Sequence, residues 1–264
     1  MHHASAFFRP LVLLSAFALG AVTLTLPGQA QELPGPAPAE AASPTDALTE
    51  SQIFFNAPPP PRQGTPGGRS QGGASRGPCQ DFEGLTALVP TTEGVVWGQT
   101  AQASPSLWVY LPQPLTADTP LELTLQDADD NYLYTTRLEA ETPAGLIHFE
   151  MTPETPLQLD QLYTWTLVIA CDPAQPTESV FVNGTLQPVL LAPGLRAQLA
   201  AANGLQQAQI YAANGLWHDA LNTLATYQQA RPANAQAASA WVDLLRQAGF
   251  EALASEPFSP CCLP

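Results

Sequence analysis

The chain reads as a mainly β protein with an α-helical end: an antiparallel immunoglobulin-like β-sandwich followed by a small C-terminal helical, tetratricopeptide-like cap. Three observations predict this. Short runs between Leu85 and Val189 alternate apolar and polar residues with period 2. Clusters of Pro, Gly and Asp break these runs into strand-sized pieces. At Ala192-Pro-Gly194 the apolar spacing then changes to the helical period.

The elements are taken in chain order. His2, His3 and Arg9 precede an apolar run from Leu11 to Leu26, and small residues Gly28 and Ala30 follow it. That order predicts a signal peptide over residues 1–30, cleaved after Ala30. The run is shorter than the ~20 residues of a spanning helix, and no later run is longer, so no transmembrane segment is expected in the mature chain. Residues 31–78 are rich in Pro, Ala, Gly, Ser and Gln and read as a disordered tether. Ile53-Phe54-Phe55 interrupts it as a short apolar patch fit to dock on the fold or add an edge strand. Pro58–Pro61 should be extended polyproline II, and the glycine-rich stretch beyond carries Arg62, Arg69 and Arg76 before it stops at Cys79.

Residues 79–190 form the predicted sandwich. Its strands are expected at 85–89, 95–98, 107–111, 121–126, 132–138, 146–151, 163–171 and 180–186. Leu121, Leu123 and Leu125 face one way, and Tyr163, Trp165, Leu167, Ile169 and Cys171 share a face. Asp127–Asn131 is the turn of a hairpin. Helices follow over 195–203, 205–213, 216–229 and 235–248 within a helical region of 191–257, and residues 258–264 are a cysteine-containing tail. Asn203-Gly204 and Asn214-Gly215 are turn or C-cap signals. Tyr211, Gly215, Trp217, Ala220, Leu224 and Pro232 resemble a tetratricopeptide repeat, but Gly204 and Gln207 stand where that motif wants bulkier residues. A cap packed on the β-domain fits this better than a superhelical groove.

The chain has no lysine, and eight arginines face 23 carboxylates; between Asp81 and Glu178 there are 15 acidic residues and one basic residue, Arg137. Nucleic acid and anionic lipid bind through Lys and Arg, so both are excluded as partners. The even count of four cysteines suggests disulfides in an exported chain. Pairing Cys79 with Cys171 would staple the start of the β-domain to its core, leaving Cys261 and Cys262. The alternative ties the tail to Cys79 or Cys171.

No catalytic constellation is expected. Asp127, Asp129 and Asn131 begin like a calcium loop, but Tyr132 occupies the glycine position and Leu138 the bidentate glutamate position, so they read as an acidic turn. His148 lies on the polar face of a strand. His218-Asp219 sit at a helix start, and adjacent helical residues diverge, so both read as surface or capping residues. Neither a metal nor a cofactor motif occurs. Trp108 and Tyr110 share one strand face and are the binding candidates, fit to stack on a sugar or protein if exposed and equally fit to be covered by the helices.

The Pro/Arg run, Arg76-Gly-Pro-Cys79, Leu85–Pro90, Leu125–Asn131, Ile169–Pro173 and Asn214–Leu221 together resemble a cyanobacterial family of exported proteins, domain of unknown function 928. The resemblance covers roughly Pro58 to Ala254 and implies export from a cyanobacterium, without a reaction or ligand. The expectation is an exported, non-catalytic binding or assembly module of the periplasm or cell surface, with an envelope protein or glycan as partner. A carbohydrate-binding module and a hydrolase using Asp127, Asp129 or Asp172 are the alternatives.

Overall fold

A computed structural model describes residues 52–61, 67–73, 77–138, 141–172, 174–175 and 178–261. The expected signal peptide, most of the tether, Arg62, Arg76 and Cys262 lie outside the described residues.

The described chain is mainly β with four C-terminal helices. Its strands are β1 (Thr86–Ala87), β2 (Thr91–Thr92), β3 (Val95–Thr100), β4 (Ser106–Leu111), β5 (Leu121–Gln126), β6 (Tyr132–Leu138), β7 (Gly145–Glu150), β8 (Tyr163–Ala170) and β9 (Ser179–Pro188). The helices are α1 (Pro193–Ala201), α2 (Gly204–Ala213), α3 (Trp217–Ala230) and α4 (Ala235–Gln247). One sheet has the order β1-β4-β7 and the other β2-β3-β9-β8-β5-β6. All eight expected strands and all four expected helices form.

Two departures are instructive. The strand β2 is too short to show alternation; it exists because Glu93 and Gly94 both adopt positive φ (51° and 82°) and fold it back on β3, as a tight primed hairpin turn does. The β3–β9 pair is parallel, Trp97 opposite Thr185 through Thr100 opposite Pro188, so the six-stranded sheet is mixed rather than wholly antiparallel. Side-chain alternation is identical in both senses, so period 2 is silent on strand direction.

Both sheets contribute to one apolar core. Leu107, Val109, Leu111, Ile147 and Phe149 of the smaller sheet join Leu121, Leu123, Leu125, Trp165, Leu167, Ile169 and Val182 of the larger. Cys79, ahead of β1, is disulfide-bonded to Cys171, just beyond β8, which excludes a link from the tail to either residue. Cys261 is itself disulfide-bonded.

The opposite face of β4 and β7 belongs to a second apolar cluster. Leu88, Trp108 and Leu146 pack there with Leu205, Trp217, Leu221, Trp241 and Leu244 of the helices. The C-terminal segment closes this region: Leu146 N–H donates to the Pro257 carbonyl at 2.8 Å, Ser259 N–H donates to the Leu146 carbonyl at 2.9 Å, and Phe258 lies against Trp108 and Trp241. These bonds occupy part of the β7 edge, which would otherwise be open to pairing.

Asn203 does not end a helix as expected but starts one. Its side chain accepts from Gln206 N–H, and the Gln206 side chain accepts from Asn203 N–H, a reciprocal capping box. Asn214-Gly215 does close α2, with Gly215 at φ 77°. The space left by Gly204 is taken by the ring of Tyr227, and Gln207 bonds the Leu199 carbonyl at 2.9 Å, so both residues that depart from the repeat motif serve local contacts.

Of the two outcomes expected for Ile53-Phe54-Phe55 the structure shows docking, and the disordered expectation is corrected farther along, at Arg69. Ile53 is buried in the helical cluster, Phe55 packs edge-on to Trp217, and Arg69 pairs through its backbone with Asn183 while its guanidinium lies over the Phe181 ring.

Candidate functional site

Where α3 meets the three-stranded sheet, the structure leaves a polar cleft of about 340 Å³. The β3–β4 corner supplies Thr100, Gln102, Ser104 and Ser106; β7 supplies His148 and Glu150; α3 supplies Asn222, Thr223 and Thr226, with His218 and Asp219 at its inner wall.

The seating of α3 creates this wall. Gly98 has no side chain where the helix descends: a Cβ there would lie 2.8 Å from His218 Nε2 and 3.4 Å from Trp217 Cβ. The close approach buries the whole first turn, Trp217 through Leu221, instead of one stripe of it. The surface-or-capping expectation for His218 and Asp219 is thereby overturned; they are 3 % and 4 % exposed. Neighbouring helical residues do point apart, but here β3, β4 and the flanking helices surround the turn.

Each buried group is tied to the sheet. His218 Nδ1 lies 3.1 Å from the Ser106 carbonyl, which fixes the tautomer protonated on Nδ1. Burial pushes the imidazole pKa down to about 4, although the Ser106 bond opposes this, so the ring is neutral at neutral pH. An Asp219 oxygen accepts from Ala101 N–H at 3.0 Å, and the side chains of Gln102 and Thr100 also donate to it. Desolvation nevertheless raises the Asp219 pKa above the ordinary carboxylate value. His218 Nε2 and Asp219 Oδ1 are buried without a hydrogen-bond partner. These two atoms are thus unsatisfied polar groups in the inner wall of the cleft, while Nδ1 and the other carboxylate oxygen tie the turn to the sheet.

The accessible lining is hydroxyl and amide, with the His148 ring and the Glu150 carboxylate. Asn222 is oriented by accepting from Trp108 Nε1 at 3.1 Å, and His148 stacks on the Trp108 ring with centroids 4.7 Å apart. Burial lowers the His148 pKa, with Glu150 opposing, which favours a neutral ring beside one carboxylate. The lining contains no arginine, so the cleft suits neutral, hydroxylated or donor-rich groups and repels anions.

The sequence candidates fall elsewhere or change meaning. Trp108 is 2 % exposed under the helices, so it offers no stacking platform; Tyr110 is partly covered, and burial, followed by the charge of Glu256 and a bond to it, raises its pKa. A sugar cannot stack on this pair without displacing the helical layer. Asp127 accepts from the Asp129 and Asn131 backbones at 2.9 Å and from the Asn131 side chain, and these bonds hold its pKa below the ordinary value. That is a self-satisfied acidic turn. Asp172 is likewise engaged by Ala174 N–H and the Gln175 side chain. Among the described residues no group of three or more His, Cys, Asp and Glu could hold a metal ion. No helix among them is long and apolar enough to cross a membrane.

The sequence reasoning missed the cleft itself. Its signals were Gly98 in a strand interior and the polar residues Asn222, Thr223 and Thr226, spaced to share one side of their helix.

The fold and cleft thus define a two-sheet protein with a helical layer and a polar cavity at their seam. A family model described as Domain of Unknown Function (DUF928) matches residues 71–258, and the chain belongs to that family. No curated protein matches it.

Proposed function

We propose that this is an exported, non-catalytic binding or assembly module of the periplasm or cell surface of a cyanobacterium. The N-terminal pattern of charge, apolar run and Gly28-x-Ala30 supports export. This reading takes the two sheets as an immunoglobulin-like sandwich and the helices as a tetratricopeptide-like cap, in which Trp217 and Trp241 anchor the cap.

The observation that carries the binding role is the cleft. Its walls are fixed by the Trp108–Asn222, His218–Ser106 and Asp219–Ala101 bonds, and its floor displays hydroxyls and amides. A pre-formed polar cavity costs little ordering on binding and fits an uncharged, hydroxyl-rich group such as an envelope glycan. The carbohydrate-binding alternative therefore moves from Trp108 and Tyr110 to this cleft.

The test is a glycan array and an envelope pull-down with the mature protein and with Thr223→Trp, which fills the cavity. Binding by the former, lost in the latter with an unchanged melting temperature, supports the reading. A mature protein that retains neither glycan nor envelope partner removes it. The hydrolase alternative, made on Asp127, Asp129 or Asp172, predicts instead turnover of a glycan that stops when one of these is changed to Asn; if it moves to the cleft, the carboxylate there is Glu150 and Glu150→Gln stops it.

A further inference from the structure

The segment Gln52–Asn56 is held as a short peptide is held in a groove. Gln247 at the end of α4 grips both sides of it: its Oε1 accepts from Phe55 N–H at 2.9 Å, and its Nε2 donates to the Ile53 carbonyl at 2.9 Å. Gln209 of α2 donates to the Gln52 carbonyl at 3.1 Å, and Asn56 N–H donates to the Ala212 carbonyl at 3.0 Å. The side chains alternate as in a strand. Ile53 is 2 % exposed within the helical cluster, Phe54 is 64 % exposed, and Phe55 meets Trp217 edge-on at 4.9 Å. Gly215 forms the floor, since a Cβ there would lie 3.0 Å from the Asn56 carbonyl and from Pro58 Cδ.

This division of labour is that of peptide recognition. Main-chain bonds supplied by side-chain amides hold any extended backbone, and pockets at alternate positions choose its sequence. We propose that the groove across α2, the α2–α3 turn and α4 is a receptor for an extended segment of a partner protein carrying an aliphatic residue and, two positions on, an aromatic one. The chain's own residues 52–58 occupy it in cis. The proposal rests on the binding-module reading. A cis segment competes at an effective concentration of the order of millimolar, so a partner displaces it by offering the same pattern plus contacts of its own.

The experiment uses the full mature chain with a protease site placed between Pro61 and Gly67 and cut after folding. A fluorescent peptide with the sequence of residues 52–61 is the probe. The cut protein should bind it about tenfold or more tightly than the uncut protein, and a peptide carrying Ile53→Asp should not bind. Absence of uptake by the cut, folded protein, or equal uptake before and after cutting, overturns the proposal. If cutting unfolds the protein, the uncut Ile53→Asp variant, whose own segment is unseated, takes its place: peptide uptake supports the receptor, and none by a natively folded variant overturns it. Peptide uptake alongside a pull-down that finds no partner would remove the binding-module reading and leave the groove standing.

Discussion

The two apolar clusters of this protein are built by different rules. Between the sheets Leu107, Leu121, Leu123, Leu125, Leu167 and Ile169 pack with Phe149, Tyr163 and Trp165, bounded by the Cys79–Cys171 bond. Under the helices Leu and Ala again make up most of the cluster, but its three tryptophans carry directed bonds: Trp217 Nε1 donates to the Leu88 carbonyl at 2.7 Å, Trp108 Nε1 to Asn222, and Trp241 Nε1 to the Ala254 carbonyl at 3.2 Å. The first interface is held by non-directional packing, and even its Trp165 Nε1 has no hydrogen-bond partner. Directed bonds at fixed points hold the second together while leaving room between them, and the polar cleft and the groove for residues 52–58 both lie on that side.

The contrast can be broken at its stronger end first. Trp165 is fully buried between the sheets, and Trp165→Ala should cost about 3–5 kcal/mol, read as a lower urea midpoint with loss of both β and helical signal. A loss confined to the helices would contradict the assignment of that residue to the common core.

Acid should act on the helical side. Burial depresses the His218 pKa to about 4 in the fold from the ordinary histidine value of 6.5, so the unfolded chain takes up a proton that the folded one refuses. Its contribution is complete above pH 6.5 and is lost as pH falls towards 4, worth about 3 kcal/mol at the acid end. Asp219 opposes this: its raised pKa makes its stabilising contribution largest at low pH and lost as pH rises through the folded value. Urea midpoints across this window should therefore fall less with acid in His218→Gln than in the native chain, and fall more steeply in Asp219→Asn. A flat profile in Asp219→Asn, where nothing opposes the imidazole, would show that it is not sealed.

The smallest of the three effects sharpens the idea of directed latches. Trp217→Phe keeps the ring but leaves the Leu88 carbonyl without its donor, at a cost of about 1–3 kcal/mol. Hydrogen exchange should show faster opening of α3 while β5 and β8 keep their protection. Uniform acceleration would mean that the two clusters unfold as one unit.

The same contrast explains what could be read from the sequence. Leu121, Leu123 and Leu125, and Tyr163 through Ile169, announce their strands because one face of each is dry, and burial of one face writes period 2 into a strand. The disulfide partner of Cys79 was legible as one of the alternatives, since Cys171 closes the strongest strand. The direction of β3 against β9 was not, because alternation carries no direction. His218 and Asp219 were misjudged since their burial depends on Gly98, about 120 residues earlier, admitting the helix end-on. The cleft escaped notice for a similar reason: it belongs to three elements that share no local pattern. Ile53 and Phe55 were legible as apolar residues out of place in a polar stretch, but not the Gln247 and Gln209 amides that hold their backbone.

The Cys79–Cys171 bond also sets a timetable. A chain made from its N-terminus presents Cys79 first and Cys171 92 residues later, whereas Cys261 and Cys262 arrive last. β9, which joins β3 to β8, follows Cys171 and still precedes the helices and tail, so the two sulfurs can meet before Cys261 and Cys262 arrive. Order of arrival thus favours the native pairing over links to the tail, and the helices are added to a β-body that is already closed.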